Sequence, residues 1–158
     1  MNIYDIIKIT DSNINKKLYN GSEKKLGVTI SGKDYIMKFR KRDWNNIESE
    51  YIASNVISIL GGDAHRVYLG CYRNDLVALC LDFTQFYDSS YLQSLRSISS
   101  SMFDTDKSQH DYFFNDVIYL FKSLRNCDVE YNKDKFIRMY IYDDLLGNTD
   151  RHAGNWDY

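Results

Sequence analysis

The chain has 158 residues, 27% of them charged, and a formal net charge of -2 at pH 7. That length suffices for one domain with a real core or for two small lobes, and the near balance of charge gives no electrostatic case for a nucleic-acid-binding surface. No apolar run is long enough to cross a bilayer, the N-terminus lacks the basic and apolar regions of a secretory signal, and the three cysteines (Cys71, Cys80, Cys127) lack metal-ligand spacing and read as reduced thiols of a cytosolic protein.

Residues 1–20 form a lead-in in which Ile3, Ile6, Ile7 and Ile9 show no clean period. From Gly21 to Phe39 the pattern predicts a β-hairpin. Leu26, Val28 and Ile30 alternate with Gly27 and Thr29, Ser31-Gly32-Lys33-Asp34 supplies the turn, and Tyr35–Phe39 returns. Asn45 or Asn46 caps a helix running to about Leu60, with Ile52, Ala53, Val56, Ile59 and Leu60 as its apolar stripe and Gly61-Gly62 as its stop. Val67–Leu69 and Leu76–Phe83 read as strands joined across Tyr72–Asp75.

The second half changes character. A serine-rich stretch, Ser97–Ser101, reads as a connector or short helix. Asp111–Arg125 carries a helical stripe of Phe113, Phe114, Val117, Leu120, Phe121 and Leu124. Lys133–Leu146 is a third helix, stopped by Gly147. The fold class expected from this order is α+β: a β-rich lobe over 1–83, then a helical segment over 84–158.

Three features carry chemistry. Lys38 is the one charged residue in Tyr35–Phe39, and an ammonium on a half-buried strand is costly unless paired. Glu48 and Glu50 both border the helical stripe that follows, and periodicity does not choose between them as its partner. The run Gly147-Asn148-Thr149-Asp150-Arg151-His152-Ala153-Gly154-Asn155 places a carboxylate and a carboxamide five residues apart in a loop after an apolar helix. That spacing suits phosphoryl transfer, in which an Asp orients the attacking hydroxyl and an Asn oxygen helps hold Mg²⁺ on the phosphates.

The full string resembles the catalytic loop of the HipA family of bacterial serine/threonine kinases; a related Asp-Arg-His-x-x-Asn string occurs in phosphoinositide kinases. Ile36-Met37-Lys38-Phe39 resembles the lysine strand of the HipA-like kinases, and Ser49–Ser54 their Glu-Tyr helix start, which favours Glu50 as the partner of Lys38. Asn20–Leu26 resembles their ATP-covering loop. The resemblance implies a protein-kinase-like fold and the cofactors ATP and Mg²⁺, with a serine or threonine hydroxyl of a protein as acceptor. It implies catalytic roles for Lys38, Asp150 and Asn155, with Asn155 on the metal and His152 bracing the loop. It further implies nucleotide contacts from Gly21, Ser22, Lys24, Lys38 and Glu50, and from hinge residues Cys80, Asp82 and Phe83. Lys38 and Asp150 should face each other across one nucleotide-sized cleft.

Three residues follow Asn155, and none can serve as the second acidic metal ligand of such a kinase. The expectation is therefore a kinase portion that ends just past the catalytic loop, in the cytoplasm of a bacterium. Some HipA-like proteins belong to toxin–antitoxin pairs. The alternative is a non-catalytic nucleotide-binding or split module that docks on a partner carrying the rest of the helical lobe. A lipid substrate is disfavoured by the lack of a polybasic patch. His65 and His110 read as surface residues.

Overall fold

The computed structural model describes residues 5–19, 23–41, 45–86, 97–98, 114–125 and 127–149. The chain divides into two compact units, Met1–Ser89 and Ser90–Tyr158. The expected boundary fell at residue 83.

The first unit is built on a five-stranded sheet. Its strands are β1 (Ile7–Ile9), β2 (Lys25–Ile30), β3 (Lys33–Phe39), β4 (Val67–Tyr72) and β5 (Asp75–Leu81), in the order β1-β4-β5-β3-β2. The ladders are antiparallel except for β1 on β4, which is parallel. Both hairpins turn in two residues with positive φ, Ser31 and Gly32 (51° and 74°) and Arg73 and Asn74 (51° and 70°). That backbone matches the right-handed twist of the strands it joins. Arg73 is held there by Asp11 at 3.2 Å and by the Tyr72 ring.

Strand alternation sorts the side chains into two faces. Val28, Tyr35, Met37, Val77 and Leu79 turn to one side, where Tyr68, Tyr72 and Ile9 close a core. On the other side Val67, Ala78 and Cys80 meet helix α1 (Asn46–Ile59) through its fully buried Ile47. Strand β1 corrects the reading of the lead-in as patternless. Three residues are too few to show a period, but Ile9 is buried in the first core.

The face of α1 also departs from expectation. Ile52, Ile59 and Leu60, placed on the buried stripe, are 56%, 84% and 51% exposed. The row facing the sheet is Ile47, Glu50, Tyr51 and Ser54, at the i, i+3, i+4, i+7 spacing of one helix face. Local bonds set this rotation. Asn46 accepts from the Lys41 N–H at 2.9 Å and donates to the Phe39 carbonyl at 3.1 Å, and Ser54 donates to the His65 carbonyl at 2.7 Å. The helix ends as predicted at Gly61 (φ 75°), with Gly61 N–H bonded to Ser58 O and Gly62 N–H to Ile57 O, a Schellman cap.

In the second unit α2 (Phe114–Ser123) buries Val117, Leu120 and Phe121 against Phe136 of α3 (Val129–Leu146). Helix α3 begins four residues before the expected Lys133, because the Asp128 side chain caps it by accepting from the Tyr131 N–H at 3.0 Å. Gly147 stops it in the left-handed conformation, φ 64°. Apart from 97 and 98, the serine-rich stretch lies outside the described residues. None of the described helices is long and apolar enough to cross a membrane.

Candidate functional site

The sheet face that meets α1 also carries candidate site residues. On β3 it displays Asp34, Ile36 and Lys38, because Tyr35 and Met37 turn into the opposite core. Lys38 Nζ lies 2.6 Å from Glu50 Oε1, and the two side chains are 22% and 28% exposed. Cys80, on the neighbouring strand and 2% exposed, places its Sγ 3.4 Å from Glu50 Oε2. Glu48 instead pairs with Arg40. The two glutamates are thus sorted by geometry that periodicity could not supply. Glu50 lies in the row over the sheet, and Glu48, two residues away, lies off it.

Electrostatics follow from the packing. Burial would lower the Lys38 pKa, but the Glu50 carboxylate bonded to it outweighs burial and holds the ammonium above its usual value. Burial pushes the Cys80 thiol up to about 12, so at neutral pH it is an S–H donor and not a thiolate. His65 is exposed, as expected. Its exposure does not spare it from crowding by neighbouring protein atoms, which with the nearby Lys38 ammonium holds its pKa below the usual value.

Lys24 and Lys25 divide between the faces. Lys24 Nζ sits 4.6 Å over the Phe39 ring, which packs with the opposite core, so Lys24 does not share the face of Lys38. Lys25 does, since it lies directly across from Lys38 in the β2–β3 register. Glu23 pairs with Lys41 across the same hairpin end.

At the other end of this face, about 13 Å away by strand rise over four residues, lies a polar clasp that sequence reading missed. Lys17 Nζ is 2.8 Å from Asp34 Oδ2 and 3.3 Å from Asp82 Oδ2. Tyr19 donates to Asp82 at 2.8 Å, and Thr29 donates to Asp34 at 2.7 Å. Asp82, 4% exposed, also accepts from the Thr84 N–H at 3.1 Å. Burial alone would raise the Asp82 pKa; the bonds from Thr84, Tyr19 and Lys17 hold it below the usual carboxylate range. The main chain of Asp82, an expected hinge residue, is engaged within its own unit. Its N–H goes to the Asp34 carbonyl at 3.0 Å and its own carbonyl accepts from Gln85, so its main chain is occupied within the lobe. Cys80 is likewise ladder-bonded between β3 and β4. Phe83 begins a short 3-10 turn, Phe83–Phe86, and is 39% exposed. The signal for the clasp was present only as polar residues scattered along the chain, without a period.

Of the loop motif, Gly147, Asn148 and Thr149 are described. Asn148 donates through Nδ2 to Asp143 Oδ1 at 2.7 Å and through its N–H to the Asp143 carbonyl at 2.8 Å. Asp143 is 8% exposed, so the entry to the motif is anchored to a buried carboxylate of α3. Asp150, His152 and Asn155 lie outside the described residues, as do Gly21, Ser22 and His110. The expected meeting of Lys38 and Asp150 across a cleft therefore falls outside them too. No group of three or more His, Cys, Asp or Glu able to hold a metal occurs among the described residues.

A curled sheet, one helix delivering a glutamate to a strand lysine, and helices following in the chain define a protein-kinase-like α+β fold. No protein-family model matches the chain. It is similar to the serine/threonine-protein kinase CtkA of Helicobacter pylori, 32% identical over 152 residues that cover 90% of this chain and 46% of that protein. The crystal structure of a Helicobacter pylori proinflammatory kinase CtkA matches it with a TM-score of 0.85 and 33% identity, over 97% of this chain and 54% of that one. The chain spans about half the length of these relatives. Both matches support a relation to kinases of the CtkA type. The narrower HipA-like assignment rests on the residue motifs alone.

Proposed function

We propose that this chain is a portion of an ATP-dependent serine/threonine kinase of HipA-like type. The observation that carries the reading is the Lys38–Glu50 pair, 2.6 Å apart on the helix-bearing face of the sheet. An ammonium held above its usual pKa and braced by a carboxylate suits the α- and β-phosphates of a nucleotide. Lys25, across from Lys38, adds positive charge on the same face. Phe83 is the remaining described hinge candidate for an adenine contact, given the occupied main chains of Cys80 and Asp82.

In this reading Asp150 orients the hydroxyl of a protein serine or threonine, and Asn155 holds Mg²⁺ against the phosphates. Mg²⁺ would neutralise charge on the transferring group. The donor set fits in kind, a carboxamide oxygen together with phosphate oxygens, as a hard cation requires. The reading places the protein in the bacterial cytoplasm.

A second reading is favoured by one observation, the coverage of about half of each relative. Under it, the chain binds nucleotide without turning it over, or docks on a partner carrying the rest of the helical lobe.

The test is thermal stabilisation of the 158-residue chain by ATP with and without Mg²⁺, in wild type and in Lys38→Met. Stabilisation that disappears in Lys38→Met is expected. Equal stabilisation in both proteins would remove Lys38 from the nucleotide site. Mg²⁺-dependent phosphorylation of a protein substrate by residues 1–158 alone would refute the split reading.

A further inference from the structure

Glu50 has two oxygens, and the pair with Lys38 uses one. Among the described residues, the hydrogen-bond donor to the other is Cys80, at 3.4 Å. Cys80 is not free to move. It lies in β5 between β3 and β4, across from Ile36 on one side and Val67 on the other, and it packs in the core that holds Ile47 of α1. The thiol is thus fixed by the sheet, while Glu50 comes from a helix that meets the sheet through few apolar side chains. An unbranched carboxylate on such a helix has several rotamers, and a bond from Lys38 alone leaves rotation about its last torsion open.

We infer that Cys80 is a positioning residue: its S–H donates to Glu50 Oε2 and thereby turns Oε1 toward Lys38, setting where the ammonium sits on the sheet face. The inference deepens the reading of Lys38 as the phosphate-orienting lysine and rests on it for its functional meaning. Its structural content is independent of that reading. The other titratable groups near Lys38 include Lys25, Glu23 and His65, and the described bonds to Glu50 come from Lys38 and Cys80.

The experiment compares wild type with Cys80→Val, Cys80→Ala and Cys80→Ser. Valine keeps volume without a donor, and serine restores one. Lysines of the 158-residue chain are dimethylated with ¹³C-formaldehyde, and the Lys38 resonance, assigned from Lys38→Arg, is followed through pH. In the valine and alanine variants that resonance should shift and its titration midpoint fall, with Cys80→Ser returning toward wild type. In parallel, affinity for Mg²⁺·ATP should weaken about two- to tenfold in Cys80→Val, the span expected for one lost hydrogen bond, and recover in Cys80→Ser. A Lys38 resonance and midpoint unchanged in a folded Cys80→Val would overturn the inference. So would a Cys80→Ser protein that resembles the valine variant. If Lys38→Met leaves nucleotide affinity untouched, the kinase reading fails on its own, and the Lys38 titration still decides the role of Cys80.

Discussion

Two basic residues, Lys38 on β3 and Arg40 just past its end, each find a glutamate, and which one they find separates a candidate site from an ordinary surface. Lys38–Glu50 is partly buried on the sheet face, whereas Arg40–Glu48 is more exposed. Glu50→Gln should weaken nucleotide binding, because it removes the charge that anchors Lys38. Glu48→Gln should leave binding unchanged, since its loss touches an exposed, solvent-screened pair. Titration calorimetry with ATP analogues would decide, and equal losses in the two variants would contradict the assignment.

The clasp makes a pH prediction at the same scale. Asp34 is held low chiefly by Lys17. Asp82 is held low by Thr84, Tyr19 and Lys17 against the opposing effect of burial. A carboxylate whose folded pKa is depressed stabilises the fold above its unfolded value, near 4, and loses that contribution as pH falls through the folded value. Lys17 is raised, chiefly by Asp34, so its contribution holds below its unfolded value and fades on the alkaline side. Asp82→Asn should therefore flatten the acid limb of stability below about pH 5, where the unfolded carboxylate begins to protonate and the folded one does not. Asp82→Ala should cost about 1 to 3 kcal/mol at neutral pH, because it removes the buried acceptor shared by Lys17, Tyr19 and Thr84. Urea denaturation across that range would show both effects.

At the scale of elements, α1 is the instructive case. Its most apolar stripe, Ile52, Ala53, Val56, Ile59 and Leu60, suggested the wrong rotation, and the helix instead turns Ile47, Glu50, Tyr51 and Ser54 to the sheet. Hydrophobic periodicity assumes that burial alone orients a helix. Here fixed bonds at Asn46 and Ser54 and an ion pair from Glu50 offset the gain from burying isoleucines. Ile47→Ala should then destabilise by about 3 kcal/mol, while Ile59→Lys should stay within about 0.5 kcal/mol of wild type. A large loss in Ile59→Lys would mean that the isoleucine face is covered. Helix α3 offers a second check. Asp128→Ala should cost about 1 kcal/mol through loss of its cap. Gly147→Ala should cost about 1 to 2 kcal/mol, because a Cβ at φ 64° is strained.

At the scale of the whole molecule, the chain is two compact units with the fold of a kinase and about half the length of the relatives it matches. If the split reading holds, the chain alone should show negligible ATP turnover, and a second polypeptide bearing an acidic metal ligand should restore it. A coupled phosphate-release assay on the mixture and on each component would tell. No gain on mixing, with the chain inactive, would leave the nucleotide-binding module as the surviving form of that reading.

The sequence by itself determined what local rules control. The hairpins follow from strand alternation and tight turns, α2 from a stripe of Val117, Leu120 and Phe121, and the helix stops from Gly61 and Gly147. Gly147–Asn155 and Lys38 were legible as candidates because an unusual string and a lone charge stand out from their surroundings. Only the tertiary structure decided which glutamate meets Lys38, which of Lys24 and Lys25 shares its face, and that Cys80 and the Lys17–Asp34–Asp82 clasp belong to the same surface. These are contacts between residues far apart in the chain. Their outcome depends on helix rotation and strand register, which polar bonds of a few kcal/mol set and no one-dimensional period records.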